Sequence, residues 1–154
     1  MSIFRIERSQ KLNITLDTAW KFFSNPHNLK LITPPELGLE ITSRTKEHIY
    51  EGMIITYDLK LAIFFKTSWL TEITHVREPY FFTDEQKIGP YNLWHHQHLF
   101  EECDDGVIVK DIVHYSLPFG PVGSIANRIF VRKYLIDIFD FRKDFLDGHF
   151  PSKL

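Results

Sequence analysis

Trp94, His96, His98 and Phe100 follow one another at every second position. Strand side chains alternate between two faces, so these four share one. Beyond Asp105-Gly106 a second alternating run puts Asp111, Val113, Tyr115 and Leu117 together. Imidazole, carboxylate and phenol set among aromatic rings suit a pocket wall, which is mostly apolar with a few placed polar groups. An H-x-H pair on a strand also offers two imidazoles to one side. Asp84 or Asp111 would complete a two-His-one-carboxylate metal set. Self-pairing competes with that reading, because buried His, Asp and Tyr can satisfy one another in a partly wet cavity. Self-pairing is preferred, so neither a metal nor any other cofactor is assigned.

The same groups have acid–base chemistry near neutral pH. No activated nucleophile accompanies them. Ser68, Ser116 and Ser124 lie in no nucleophile-elbow context. Cys103 stands among Glu101, Glu102, Asp104 and Asp105, a setting that disfavours a thiolate. No residue is assigned as catalytic, and a binding role is preferred to an enzymatic one. The ligand-contact set is Trp69, Phe82, Asp84, Gln86, Trp94, His96, His98, Asp111 and Tyr115. Phe82, Asp84 and Gln86 share a face of a regular strand, and Trp69, Thr71 and Ile73 form another alternating set. His95, Gln97 and His114 fall on the opposite faces, toward solvent. Trp20 is read as packing between helix and sheet.

The elements that must position these residues are legible in outline. Ile3 to Ile14 reads as an opening strand. Asp17 is the expected N-cap of a helix over Thr18 to Phe23, which Asn25-Pro26 breaks. A second short helix is expected over His27 to Ile32, stopped by Thr33-Pro34-Pro35. Six strands follow: Leu39 to Lys46, Met53 to Ile63, Thr67 to Val76, Phe81 to Lys87, Leu93 to Glu102 and Val107 to Leu117. The join near Phe64 to Lys66 lacks Gly and Pro. Asp105-Gly106 is a hairpin signal, read as a glycine at positive φ. Phe119 to Gly123 breaks the strand pattern. A long helix is expected over Ser124 to Asp147, with Gly148 as its C′ residue. Its apolar stripe comprises Ile125, Ile129, Ile136, Phe139 and Phe145, with Ala126, Tyr134 and Ile138, and Arg142 is grouped with the polar side. The order predicts an α+β fold in which a curved antiparallel sheet wraps a long C-terminal helix, with two short helices after the first strand. Strong curvature would leave a cavity between them.

These motifs resemble the START-like, or helix-grip, superfamily that includes pollen-allergen-like proteins, lipid-transfer domains and polyketide cyclases. The nearest resemblance is to its bacterial ligand-binding SRPBCC branch. The residues that carry it are Trp20-Lys21-Phe22-Phe23-Ser24-Asn25-Pro26, Phe82-Thr83-Asp84-Glu85-Gln86 with Gly89-Pro90-Tyr91, Trp94-x-His96-x-His98-x-Phe100, Asp111-x-Val113-x-Tyr115-x-Leu117-Pro118-Phe119-Gly120 and Ile138-Phe139-Asp140-x-Arg142. The resemblance spans nearly the whole chain. It implies one START-like ligand-binding domain over residues 1–154 and a small hydrophobic or amphipathic partner, but carries no catalytic set. A cyclase- or dehydratase-like enzyme and a co-chaperone-like interaction module are the alternatives.

Composition narrows the classes further. The 154 residues are 44% hydrophobic and 15% aromatic, against disorder. Net charge is −2 with no basic stripe, against nucleic acid. No apolar run approaches the roughly 20 residues of a membrane span. The N-terminus lacks the apolar core of a signal peptide. A single cysteine excludes an intrachain disulfide and fits a reducing compartment. The expected location is cytoplasmic, and no protein partner is indicated.

Overall fold

The computed structural model describes residues 2–61 and 65–151. One antiparallel sheet contains β1 (Phe4–Leu12), β2 (Glu40–Ile41), β3 (Ile54–Leu61), β4 (Phe65–Arg77), β5 (Phe81–Ile88), β6 (Leu93–Cys103) and β7 (Gly106–Ser116). Their order is β1-β7-β6-β5-β4-β3-β2, so only β1 departs from a simple meander. Helix α1 (Leu16–Phe23) and two 3-10 turns, Pro26–Lys30 and Pro35–Leu37, follow β1. A C-terminal helix begins as α2 (Gly120–Ala126), passes through a π turn at Asn127–Val131 and continues as α3 (Arg132–His149). This is the expected α+β arrangement of a curved sheet around a long helix. Register shifts between β4 and β5, at Leu70/Thr71 and Ile73/His75, mark bulges that bend the sheet. Among the described residues no helix is long and apolar enough to cross a membrane.

Local chemistry moves several boundaries. Thr15, not Asp17, caps α1: Thr18 N donates to Thr15 Oγ1 at 3.2 Å. Asp17 instead occupies the first turn and pairs with Lys21 at 2.7 Å. Thr15→Ala is expected to cost about 1 kcal/mol, and Asp17→Asn less than about 0.5 kcal/mol; denaturant titration of both variants checks the ranking. The second short helix is a 3-10 turn capped by the Asn25 side chain, which accepts from His27 N at 3.0 Å. The strand expected over Leu39 to Lys46 shrinks to Glu40–Ile41. There Thr42 N and Ser43 N both donate to Thr56 O, at 2.8 and 3.3 Å, while Thr56 N donates to the Ser43 hydroxyl at 3.0 Å, so the regular one-to-one ladder ends. The expected join near Phe64 falls at residues 62–64, outside the described residues. Gly106 does not have positive φ. It is needed for close approach, because a Cβ there would stand 2.2 Å from Leu12 O.

The helix start also differs. Left-handed Phe119 and Gly120 turn the chain out of β7, and helix begins at once instead of at Ser124. Gly148 lies inside α3, which Phe150 closes by donating to Leu146 O at 2.9 Å. Ile125 and Ile129 are exposed, against the expected stripe. The inward positions are Gly123, Asn127, Leu135, Phe139, Arg142 and Leu146. Steps of four drift about 40° each on a helix of 3.6 residues per turn. The wider π turn absorbs part of that drift. The Tyr115 hydroxyl, donating to Asn127 Oδ1 at 2.7 Å, fixes which face of the helix start points inward.

Buried apolar contacts divide into three groups. One joins α1 to β5–β7 and Leu146, with Trp20 edge-on to both Phe82 and Phe100. A second joins Ile6, Val113 and Tyr115 to Leu135 and Phe139. The third is Met53, Ile55 and Ile73. Residues from all three groups line a single cavity.

Candidate functional site

Strand register builds the polar centre. Asp84 of β5 lies directly across from His96 of β6, and His98 lies across from Asp111 of β7. Directly opposed residues share a sheet face, and diagonal neighbours remain within reach of long side chains. Both diagonals are used. His96 Nε2 donates to Asp111 Oδ1 at 2.8 Å, and His98 Nε2 donates to Asp84 Oδ2 at 2.9 Å. His98 Nδ1 is 2.9 Å from Asp111 Oδ1 in a direction that makes an ion contact but no hydrogen bond. The two imidazole centroids are 3.8 Å apart, and Phe82 stacks on His98 at 4.1 Å. Arg142 reaches down from α3, its Nη1 donating to Asp111 Oδ1 at 3.2 Å while its guanidinium lies over Phe139.

Burial makes the charge balance strict, since an unpaired charge in low dielectric is strongly penalised. Burial pushes the Asp111 carboxyl up, but Arg142 and the two imidazoles outweigh it and hold it well below the usual range. Asp84 is likewise lowered against its burial, by His96, His98 and Arg142. For His98 burial works downward, yet Asp111 and Asp84 prevail and raise it. For His96 burial and the neighbouring charge of His98 prevail and lower it. The two carboxylates are thus held toward their ionised forms beside Arg142, and of the two imidazoles His98 is the one favoured to carry a proton.

The cavity beside this cluster has a volume of about 190 Å³. Tyr57, Trp69, Tyr91 and Trp94 pack as an aromatic group at one part of its wall, with Trp69 and Trp94 edge-on at 5.4 Å. Phe22, Phe23 and Phe82 line another part, and Leu135, Ile138, Phe139 and Arg142 close it from α3. Burial raises the Tyr57 and Tyr91 phenols, so both stay protonated. Besides His98 Nδ1, the buried donors Trp69 Nε1 and Arg142 Nε of the lining residues have no hydrogen-bond partner. Leu37, Tyr134 and Ile138 also border a more open groove of about 600 Å³ on the outer side, rimmed by Glu36, Lys60 and Asp137.

Six of the nine residues expected to contact ligand line the cavity: Trp69, Phe82, Asp84, Trp94, His96 and His98. Three do not. Gln86 is occupied by the turn after β5, donating to Tyr91 O at 2.6 Å and accepting from Tyr91 N at 3.2 Å. Asp111 lies behind the imidazoles it holds. Tyr115 is fully covered in the helix–sheet contact and donates to Asn127. Arg142 reverses its expected placement on the polar side of the helix. Its signal was its spacing, because Leu135, Phe139, Arg142 and Leu146 fall on one helical face. Tyr57, Tyr91 and Thr71 join the wall without having been singled out for it.

No protein-family model matches this chain, and no curated protein matches it in sequence. Solved structures do match. Major latex-like protein 151 from Panax ginseng shares 11% identity at a TM-score of 0.70, over 97% of this chain and 99% of that one. Norcoclaurine synthase from Thalictrum flavum, a point mutant with a transition-state analogue, shares 13% at 0.66, over 96% of each. The di-domain ARO/CYC BexL shares 13% at 0.72, over 99% of this chain and 51% of that one. At these identities the common property is the fold. The chain has the START-like helix-grip fold.

Proposed function

We propose that this protein binds a small, largely apolar molecule bearing one or two polar groups, in the cavity between the sheet and α3. The cavity carries this reading: its wall is mostly aromatic and aliphatic, and its ionisable acid–base groups gather at one place, Asp84, His96, His98 and Arg142. Apolar cavities of about 150 Å³ admit a molecule of benzene size, so the ligand is of single-ring or short-chain dimensions. Trp69 Nε1 and Arg142 Nε supply unused donors for its oxygen atoms. The groove bounded by Leu37, Tyr134 and Ile138 is the approach route. Residues 1–154 act as one START-like ligand-binding unit in this reading.

Native mass spectrometry of freshly purified protein tests it, followed by a denatured mass. Extra non-covalent mass of metabolite size supports binding. An environment-sensitive apolar fluorophore gives a second readout. Ile55→Trp, which fills the cavity from β3, is expected to weaken fluorophore affinity at least about tenfold while costing about 1–3 kcal/mol of stability. Unchanged affinity in the folded variant refutes the cavity as the site.

A second reading is proton-transfer catalysis of the cyclase or dehydratase kind. The favouring geometry is the His96–Asp111 bond at 2.8 Å, which orients one imidazole beside the cavity. It requires His96→Ala to abolish turnover while ligand still binds.

A further inference from the structure

The two imidazoles use their four nitrogens in an ordered way. The distal pair, His96 Nε2 and His98 Nδ1, faces one oxygen, Asp111 Oδ1, at 2.8 and 2.9 Å. Arg142 holds that same carboxylate from behind. The proximal pair, His96 Nδ1 and His98 Nε2, instead converges on Asp84 Oδ2, at 3.5 and 2.9 Å. We propose that Asp84, His96 and His98 form a binding site for one divalent transition-metal ion, supported from behind by Asp111.

Two imidazoles and one carboxylate with open positions are a donor set that first-row ions such as Fe²⁺, Co²⁺ and Zn²⁺ accept. The three donor atoms lie within 4.8 Å of one another. For bonds of about 2.1 Å, the two gaps on Asp84 Oδ2 subtend roughly 90° and 110° at an ion, angles that octahedral and tetrahedral coordination use. The second layer is the stronger argument. A metal-bound imidazole almost always directs its other nitrogen to a carboxylate or carbonyl, which fixes the ring and its tautomer. Here one carboxylate stands behind both rings: it accepts from His96 Nε2, lies in ion contact 2.9 Å from His98 Nδ1, and is itself anchored by a guanidinium. Such an arrangement exceeds what mutual hydrogen bonding of two histidines requires.

The competing occupant is the proton between His98 Nε2 and Asp84 Oδ2. A metal replaces it, with the Asp84 carboxylate turning so that the His98 lone pair meets the ion. With both imidazoles neutral, the two carboxylates and Arg142 sum to one negative charge. A dication makes the site positive by one, which suits an anionic oxygen on its open side. All three ligands line the cavity, so that oxygen is hydroxide or an acidic group of the bound molecule.

The test uses the full chain, stripped with chelator, desalted and titrated with Co²⁺ under calorimetry and visible absorption. One equivalent is expected to bind with ligand-field bands. Asp84→Asn and His98→Gln are each expected to lose more than about 100-fold in affinity, and Asp111→Asn about 10–100-fold with stoichiometry retained. Far-UV circular dichroism and urea unfolding of the same samples separate a lost site from a lost fold. A variant that keeps its fold and loses Co²⁺ supports the site. If the variants unfold, proton NMR of the wild-type Co²⁺ form decides: two shifted imidazole N–H signals support it, and none overturns it. Folded wild-type protein that takes up no Co²⁺, or Asp84→Asn that binds it as tightly as wild type, also overturns it. Fluorophore binding without Co²⁺ binding leaves the cavity reading standing and removes only the metal.

Discussion

Arg142→Met is expected to destabilise the folded protein by about 3–5 kcal/mol, the range for removing one partner of a buried ion pair. The substitution keeps an unbranched apolar stem beside Phe139, so lost packing is small. It removes the guanidinium 3.2 Å from Asp111, whose side chain is only 8% exposed. The variant removes the cluster's fixed cation and leaves the two carboxylates to the imidazoles alone. Urea unfolding measures the loss as a fall in midpoint at unchanged slope. The Arg142→Met/Asp111→Asn double variant is expected to be more stable than the two single effects sum to, with a coupling of about 0.5–3 kcal/mol. A single-variant loss below about 1 kcal/mol would show that Arg142 does not compensate the cluster.

Arg142 also shows where sequence reading stops. Period two exposed the sheet faces, because β6 and β7 are regular and the Asp105-Gly106 turn sets their pairing. His96, His98, Asp111 and Tyr115 were thus placed on one side correctly. Their division between cavity and core was not legible. Tyr115 and Asp111 lie on the same strand face four residues apart, yet Tyr115 is claimed by Asn127 and Asp111 by the imidazoles. Those claims depend on where the helix lies above the sheet, a tertiary fact that alternation does not encode. Gln86 failed for a different reason. Its face was readable, but its amide satisfies the backbone of a tight turn, and local side-chain bonds of that kind compete with any outward role. Helix phase was the third obstacle. The π turn at Asn127–Val131 shifts the stripe midway, so Ile125 and Ile129 read as core and lie exposed. Arg142 reads as surface by residue type, although its spacing from Phe139 and Leu146 puts it inside.

Replacing the whole cluster at once is expected to reverse the sign of the single change. A variant with Asp84→Val, His96→Leu, His98→Leu, Asp111→Val and Arg142→Met leaves no charge to compensate. Swapping buried ionic groups for apolar ones of similar volume is often neutral, or stabilising by about 1–4 kcal/mol, because the desolvation of each ion is no longer incurred. Valine and leucine also suit strand positions on β5, β6 and β7. The five-fold variant is thus expected to equal or exceed wild type in urea, although one of its members alone is severely destabilising. It is expected to keep the apolar fluorophore, since the aromatic wall at Tyr57, Trp69, Tyr91 and Trp94 is untouched, and to lose Co²⁺ entirely. That pairing separates two reasons for retaining the cluster. If stability falls by several kcal/mol, the cluster is a structural core feature that the fold depends on. If stability holds while metal and polar ligand recognition are lost, the fold tolerates an apolar core there, and the role of the five clustered ionisable groups is the chemistry they perform at and behind the cavity wall.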